Sequence, residues 1–512
     1  MLAYRGLGRG LARAAGRYAA REAAQPRSRL LSTAPIRLDP QLEGIISSFQ
    51  SSMKATTVRG AKAKTLVEDF GQLQRHRVQH VLLVCTDYDS YTFEEDGLLN
   101  ELIFQWYADN ALSKPPTIDR VSTPEMGIAR FKERNYDMVV TLSRYAHQSN
   151  LVHAIHRHNP AVPIGLIALN PSDLANLHPQ IESSLRLNVN KRLMWATAKE
   201  GGAPATTPSS SLSDAWVWPF MWQGQPQLFT AMFKAVEDRL NVKADSEYGV
   251  QLVLVVEDSV QFYSSYLPVL YSELWRQNKS IQAETMHTRE RMLRMTSRPK
   301  IILCTNFEEA LDVYDRYRDN VMGVITDLSF PKDGVQSDRA GLELAAHIRD
   351  HQPELPILMQ SYQPDDSEYA NIARGLGLKY TCKNSPSLLQ TVRDYIHEDL
   401  MFGPLKFQDG VTGKPLGQVA NVTELLKVWA ELPLTSVAYH ARYSHLSRWF
   451  FARAEFQLAK RFRNSTYPQV RGDCLPLIAT SERHGGRCGG RSGLAHGTAR
   501  TAMLIVMAPC EA

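Results

Sequence analysis

The chain has 512 residues of ordinary globular composition, 44% hydrophobic and 22% charged, which is room for about three or four domains. Its 58 basic and 53 acidic side chains give a formal net charge of +5, too near balance to favour nucleic acid as the main partner. Its length and composition exclude a disulfide-rich miniprotein, and because the six cysteines form no CxxC pair, neither a zinc ribbon nor a redox dithiol is indicated. No run of eighteen apolar residues occurs, so we expect no membrane span.

The first 38 residues are typical of an organelle transit peptide. Arginine recurs at every fourth position from Arg5 to Arg21, and the first acidic residue is Glu22. On a helix this spacing places the guanidinium groups along one stripe. An arginine-rich, acid-poor segment predicts import into mitochondria, with plastids or a disordered basic tail as alternatives. We therefore exclude residues 1–38 from the fold prediction and expect a soluble organellar protein.

The rest of the chain predicts an α/β fold with two tandem, doubly wound, five-stranded parallel sheets. After a helical lead-in at 41–75, ten apolar runs alternate with helical segments, which is the pattern of βαβ units. The runs lie at 80–87, 117–123, 137–143, 163–170 and 216–222, and again at 251–259, 300–306, 323–329, 356–361 and 378–384. These boundaries give a first domain at 78–245, with a disordered loop near 200–214, a second domain at 248–400, a helical extension at 401–463 and a disordered tail at 464–512.

Polar residues at the strand ends of the second domain predict a phosphoryl-transfer site. Glu257 and Asp258 end its first strand, Asp327 its third, Ser361 its fourth and Lys383 its fifth. The carboxyl ends of parallel strands meet at the edge where open α/β sheets bind ligands. Clustered carboxylates need a cation, and an all-oxygen ligand set suits Mg²⁺. A carboxylate there could attack phosphorus, while the lysine and the hydroxyl hold the transferred oxygens.

The segments that carry these residues, VLVVEDS, VITDLSFPKDG, PILMQS and YTCKNS, resemble the receiver domain of two-component response regulators over residues 250–400. The resemblance implies a flavodoxin-like receiver fold and phosphorylation by a histidine kinase or phosphotransfer protein. It implies that Asp327 is the phospho-acceptor and that Mg²⁺ is bound by Asp258, Asp327 and the carbonyl of Ser329, with Glu257 in support. It also implies that Ser361 and Lys383 contact the phosphoryl group and that Tyr380 is the aromatic switch. The sequence departs from the family pattern in a long loop after the acceptor, at 335–340.

An overlay of the two domains predicts that the first lacks this chemistry. Asp87 falls on Asp258, but the other positions carry no equivalent group. They are Thr86 at the first acid, Leu142 at the acceptor, Ala168 at the hydroxyl and Gln223 at the lysine. We interpret the first domain as a pseudo-receiver that serves packing or docking.

The helical extension carries an apolar residue at every fourth position from Leu446 to Leu458, which predicts a helix packed on the second domain. The alternative makes His440 or His445 a phosphohistidine. A second resemblance rests on four segments: FTAMFKAVEDRLN (229–241), EDSVQFYSSYLPVLY (257–271), CKNSPSLL (382–389) and YHARYSHLSRWFFARAEFQLA (439–459). Through them, residues 70–463 as a whole resemble the N-terminal region of bacterial proteins related to phosphoenolpyruvate synthase and pyruvate phosphate dikinase.

Three functions remain open at this point. The first is a phosphorelay protein that accepts phosphate rather than a turnover enzyme. The second is a fragment or subunit of a phosphoenolpyruvate synthase-like phosphotransferase, which would need a partner catalytic chain. The third is a non-catalytic scaffold.

Overall fold

The computed structural model describes residues 73–93, 99–109, 115–148, 151–175, 217–283, 296–429 and 431–464. Four predicted segments lie wholly or almost wholly outside the described residues: the transit peptide (1–38), the lead-in (41–75), the loop (200–214) and the tail (464–512). Within the described stretches, no helix combines the length and the apolar character needed to cross a membrane.

The first sheet consists of five parallel strands, each formed by one of the predicted apolar runs. They are β1 (His80–Val84), β2 (Thr117–Val121), β3 (Met138–Leu142), β4 (Ile164–Ala168) and β5 (Val217–Met221). The order across the sheet is 2-1-3-4-5. The helices of this domain are α1 (Asp87–Phe93), α2 (Leu99–Asp109), α3 (Pro124–Glu133), α4 (Ser143–Gln148), α5 (Leu151–His158), α6 (Pro171–Ala175) and the long α7 (Gln227–Glu247).

The second sheet repeats this arrangement, with the order β7-β6-β8-β11-β12, and a short antiparallel hairpin, β9–β10, follows its third strand. The strands are β6 (Leu252–Val256), β7 (Lys300–Cys304), β8 (Val321–Asp327), β9 (Phe330–Lys332), β10 (Val335–Ser337), β11 (Ile357–Ser361) and β12 (Lys379–Cys382). The helices are α8 (Val260–Ala283), α9 (Phe307–Arg316), a 3₁₀ turn (Arg318–Asn320), α10 (Ala340–His351), α11 (Glu368–Gly375), α12 (Leu388–Asp394) and a π-helical turn (Tyr395–Asp399). Two parallel five-stranded sheets in an α/β fold are therefore confirmed.

The C-terminal module contains a hairpin and four helices. They are β13 (Leu405–Gln408), β14 (Pro415–Val419), α13 (Val422–Trp429), α14 (Leu434–Arg442), α15 (His445–Ala452) and α16 (Phe456–Asn464). Leu446 and Phe450 are buried as predicted. The expectation of one helix carrying the whole stripe is wrong, because Ala454 adopts a left-handed backbone (φ 59°) that separates α15 from α16.

Alternate residues of the strands enter different cores, as the two-residue period of a strand requires. In β1, Leu83 faces a central core while Leu82 faces an outer core packed on α3 and α5. In β6, Val255 faces the same central core and Leu254 faces a separate outer core. The central core therefore belongs to both sheets, and α7 and α8 supply much of it.

Helix α7 also joins the two domains through a buried charge. The Asp238 carboxylate is fully buried and accepts hydrogen bonds from residues of the second domain. The donors are the Arg298 guanidinium (2.7 and 2.9 Å), the Tyr271 hydroxyl (3.0 Å) and the main-chain N–H of Ile301 (2.9 Å). Removing one partner of such a pair leaves an uncompensated buried charge, so the cluster fixes the contact between the domains.

Candidate functional site

Three carboxylates meet at the carboxyl edge of the second sheet. Glu257 and Asp258 directly follow β6, and Asp327 is the last residue of the neighbouring strand β8. One oxygen from each lies within 4.8 Å of the others. Glu257 and Asp327 are buried, and Asp258 is partly buried. The sequence prediction that these acids converge is thus met by the structure.

Lys383, directly after β12, reaches into this cluster. Its Nζ donates to Asp327 Oδ2 at 2.6 Å and lies 2.8 Å from Glu257 Oε2. The lysine is 6% exposed, so little water screens these contacts. Three carboxylates and one ammonium leave two negative charges when all are ionised. One divalent cation would balance that surplus, and carboxylate oxygens are the ligands that Mg²⁺ prefers.

The pKa values of the site reflect this surplus. Burial raises the pKa of Glu257 to about 8, and the neighbouring Asp327 charge acts in the same direction. Burial likewise raises the pKa values of Asp258 and Asp327. Burial lowers the pKa of Lys383, but the two carboxylates it contacts outweigh that effect and raise it. A bound cation would favour the ionised carboxylates and reverse their shifts.

The Asp327 side chain is held by the backbone around it. The main-chain N–H of Leu328 donates to Oδ1 at 2.6 Å, while the other oxygen accepts from Lys383. Helix α10 begins close against this turn, since a Cβ added at Gly341 would lie 2.1 Å from the carbonyl oxygen of Asp327. Only glycine permits that approach, so Gly341 lets α10 begin directly against the Asp327–Leu328 backbone.

Ser361 and Tyr380 both hydrogen-bond to the backbone of one residue, Gln363, that the sequence analysis did not single out. The Ser361 hydroxyl accepts a hydrogen bond from the main-chain N–H of Gln363 at 3.1 Å. The Tyr380 hydroxyl donates to the carbonyl of the same residue at 3.0 Å. Ser361 and Tyr380 are therefore linked through Gln363. In the described part of the chain, neither side chain hydrogen-bonds directly to the three carboxylates.

A cavity of about 340 Å³ opens above the acids and brings further side chains to the site. Gln336 on β10 donates to Asp258 at 3.2 Å and to the Ser329 hydroxyl at 3.3 Å. The rings of Phe262 and Tyr362 lie 4.5 and 5.6 Å from the Lys383 ammonium. The Asp-Gly pair at 333–334 forms the two-residue loop of the β9–β10 hairpin, with positive φ at both positions. This pair is the sequence signal for the hairpin that brings Gln336 to the site.

At the first sheet, the main-chain hydrogen bonds correct the overlay by one residue. The N–H of Cys85 donates to the carbonyl of Val121, the last residue of β2, at 3.1 Å. In the second sheet, the N–H of Glu257 donates to the carbonyl of Cys304, the last residue of β7, at 3.0 Å. Cys85 is therefore the counterpart of Glu257, and Thr86 is the counterpart of Asp258. Asp87 was assigned to that position wrongly: it begins α1 and is largely exposed. The apolar run of β1 hid the shift, since both of its faces are buried.

The same correction applies after the fifth strand. The N–H of Trp222 donates to the Ala168 carbonyl at 2.8 Å, and that of Lys383 donates to the Ser361 carbonyl at 2.7 Å. Trp222, rather than Gln223, therefore replaces the lysine. Ala168 does stand opposite Ser361, as the overlay placed it.

The first sheet's edge thus holds a different set of side chains. Leu142 ends β3, the counterpart of the strand that ends in Asp327. Asp89 is buried there and accepts hydrogen bonds from Arg144 and from the Thr86 hydroxyl. An arginine therefore supplies the positive charge beside this acid. Within the described residues, the cluster at the second sheet is the one group of three acidic, histidine or cysteine ligands close enough to share a metal ion.

The two candidate histidines lie far from this chemistry in the fold. His445 lines a cavity next to Pro356, which precedes β11, whereas Ser361 ends that strand. His440 is 3% exposed, and its ring contacts His445 at 3.0 Å between the Nδ1 atoms. A buried, hydrogen-bonded ring is poorly placed to receive a phosphoryl group from another protein.

Neither a scan against models of protein families nor a search of curated proteins finds a match for this chain. The resemblances to receiver domains and to phosphoenolpyruvate synthase-related proteins therefore stay hypotheses, and any function has to be argued from the geometry of the site.

Proposed function

We propose that the chain is a phosphorelay protein whose second domain accepts a phosphoryl group on Asp327. The observation that carries the proposal is the Lys383 ammonium, 2.6 Å from the Asp327 carboxylate inside an acidic cluster. The strand order supports it, because 2-1-3-4-5 is the order of flavodoxin-like sheets, to which receivers belong. We infer that the donor is a phosphohistidine on a kinase or phosphotransfer protein.

In this reaction an Asp327 oxygen forms a bond to phosphorus as the phosphorus–nitrogen bond of the donor breaks. The donor imidazole leaves with the bonding pair and takes up a proton, and an acyl phosphate remains on the chain. Lys383 contacts the carboxylate before transfer and is placed to pair with the phosphoryl oxygens afterwards. Mg²⁺, held by Asp258, Asp327 and the Ser329 carbonyl with Glu257 in support, would supply positive charge to a site that is too acidic by two charges.

The Ser361–Gln363–Tyr380 linkage supports a conformational response. When the Ser361 hydroxyl turns toward new phosphoryl oxygens, it gives up its bond from the Gln363 N–H. The Tyr380 hydroxyl depends on the carbonyl of that same residue, so its position changes with it. Local charge at Asp327 is thereby converted into a movement at the surface formed by β11, β12 and their helices.

Intact-mass measurement with acetyl phosphate and Mg²⁺ tests the proposal. We expect the full chain to gain one phosphoryl group, and Asp327→Asn to gain none. Asp87→Asn, the same change at an exposed carboxylate beside the first sheet, is the matched control and should label as the wild type does. A label that persists in Asp327→Asn would refute the assignment.

A further inference from the structure

A second cavity, of about 420 Å³, lies at the opposite edge of the second sheet. It lies between the amino end of β11, marked by Pro356, and helices α14 and α15 of the C-terminal module, and it is partly open to solvent. Its volume is in the range of small-molecule sites. Nothing in the proposed phosphoryl transfer uses it.

Three arginines line this cavity, and each is held differently. Arg349 is buried and donates to the carbonyls of Leu355, Leu376 and Gly377. Arg448 donates to the carbonyls of Glu354 and Tyr443, both at 2.8 Å, while its Nε is buried without a hydrogen-bond partner among the described residues. Arg442 is exposed. Guanidinium groups are the preferred partners of carboxylate and phosphate oxygens, and a buried N–H without a partner is costly.

His445 adds a donor whose tautomer the hydrogen bonds determine. His440 Nε2 accepts from the main-chain N–H of Gln408 at 3.3 Å, so the proton of this neutral ring is on Nδ1. That Nδ1–H donates to His445 Nδ1 at 3.0 Å. Burial lowers the pKa values of both histidines, His440 to about 4, which keeps the rings neutral. The proton of His445 is therefore on Nε2, and this residue lines the cavity.

The charges around the cavity are unbalanced. Its two acids are Glu354 and Asp399, and Asp399 is paired with Lys379. Three arginines and this lysine against two carboxylates leave two positive charges. Burial lowers the pKa of Arg448 to about 10, although the nearby Asp399 and Glu354 carboxylates oppose this shift. The cavity is thus complementary to an anion.

Three unusual backbone conformations shape its wall. Asp399 ends the π-helical turn, and Met401 next to it has a left-handed backbone (φ 60°). Ser444, between the lining residues Tyr443 and His445, is also left-handed (φ 53°). The left-handed conformation is unfavourable for residues other than glycine, and both it and π-helical turns are frequent at functional sites.

We propose that this arginine cavity binds a small oxyanion, a metabolite that carries a phosphate or carboxylate group. Arg442 and Arg448 pair with its oxygens, and the Nε2–H of His445 donates to it, while Arg349 fixes the loops that form the wall. The ligand would contact the amino end of β11, whose other end carries Ser361.

Equilibrium dialysis of the full chain with radiolabelled inorganic phosphate tests this site, with unlabelled succinate as competitor. The measurements are made in EDTA, because without a cation the acid cluster at Asp327 repels phosphate. We expect one phosphate per chain, with the dissociation constant raised about tenfold or more in Arg442→Gln, since a charge-assisted pair contributes at least that much. Arg130→Gln, the same change at an exposed arginine of the first domain, is the matched control and should bind as the wild type does.

Arg442 is exposed, so its replacement leaves the fold intact, and circular dichroism checks this. Displacement of phosphate by succinate at equal or lower concentration identifies a carboxylate ligand, and failure of succinate to compete identifies a phosphate ligand. Either result supports the site. Absence of binding by both probes, or equal binding by wild type and Arg442→Gln, overturns it.

Discussion

In the absence of divalent cations, the free energy of unfolding should fall as the pH rises from 5 to 8. Burial and the Asp327 charge raise the pKa of Glu257 from 4.5 to about 8. The folded state therefore keeps a proton that the unfolded chain releases above its own pKa. The stabilisation is complete below pH 4.5 and is lost as the pH passes through 8. At ~1.4 kcal/mol per pH unit, the loss between pH 5 and pH 8 is about 4 kcal/mol.

Urea unfolding of the full chain, followed by circular dichroism in EDTA and in Mg²⁺, measures this dependence. Mg²⁺ should flatten it, because a ligand that binds the folded state with ionised carboxylates stabilises that state most at high pH. Glu257→Gln should remove most of the slope in EDTA. Glu133→Gln, at an exposed carboxylate paired with Arg130, should leave the slope unchanged.

Two results would refute this reasoning. An equal slope in wild type and in Glu257→Gln would show that another group carries the pH dependence. A slope in the wild type that Mg²⁺ does not change would show that the acidic cluster binds no cation under these conditions.

Three further changes test the surroundings of the site. Gly341→Ala should slow labelling by acetyl phosphate and lower the free energy of unfolding by about 1–3 kcal/mol, because the added Cβ displaces the Asp327 turn; equal initial rates of mass increase would contradict this. Ser361→Ala should still be labelled, but hydrogen exchange of the Gln363 amide should no longer respond to labelling. Asp238→Asn should lower the free energy of unfolding in urea by about 3–5 kcal/mol, since it leaves buried positive charge unpaired; a change below about 1 kcal/mol would contradict the proposed bridge.

The sequence predicted the strands well because buried parallel strands are nearly continuous apolar runs. All ten predicted runs form strands, and Asp327 ends the third strand of its sheet as expected. The same property made the overlay of the first domain on the second unreliable. In VLLV at 81–84 and LVLVV at 252–256 every residue is apolar, so nothing in the pattern fixes the register. The overlay was therefore wrong by one residue at Thr86 and at Trp222, and only main-chain hydrogen bonds could correct it.

The contacts that the sequence did not predict depend on elements that are distant along the chain. Phe262, near the start of α8, lies over the Lys383 ammonium because the lysine side chain reaches from the end of β12 to the acids that follow β6 and end β8, and no local pattern encodes that approach. The break at Ala454 interrupts a regular apolar stripe without a glycine or proline to mark it. The β9–β10 hairpin was different, since its Asp-Gly loop was visible in the sequence.

The contact between the domains gives the first one a structural role that does not depend on phosphoryl chemistry. Strand β5 is an edge of the first sheet, where backbone groups would otherwise be unpaired. Helix α8 of the second domain covers this edge: the Ser264 hydroxyl accepts from the Met221 N–H at 2.9 Å, and the Tyr263 hydroxyl donates to the Pro219 carbonyl.

The first domain covers an edge of the second sheet in the same way. Strand β7 is buried along its whole length, whereas β2, in the equivalent position of the first sheet, is partly exposed. The difference arises from α7, whose Asp238 accepts from the Ile301 N–H and whose Arg239 donates to the Leu303 carbonyl, both at 2.9 Å. Charged side chains of one helix therefore take the place of a neighbouring strand. Since each domain satisfies the open edge of the other, the first domain stabilises the second although it lacks counterparts of Asp327, Ser361 and Lys383.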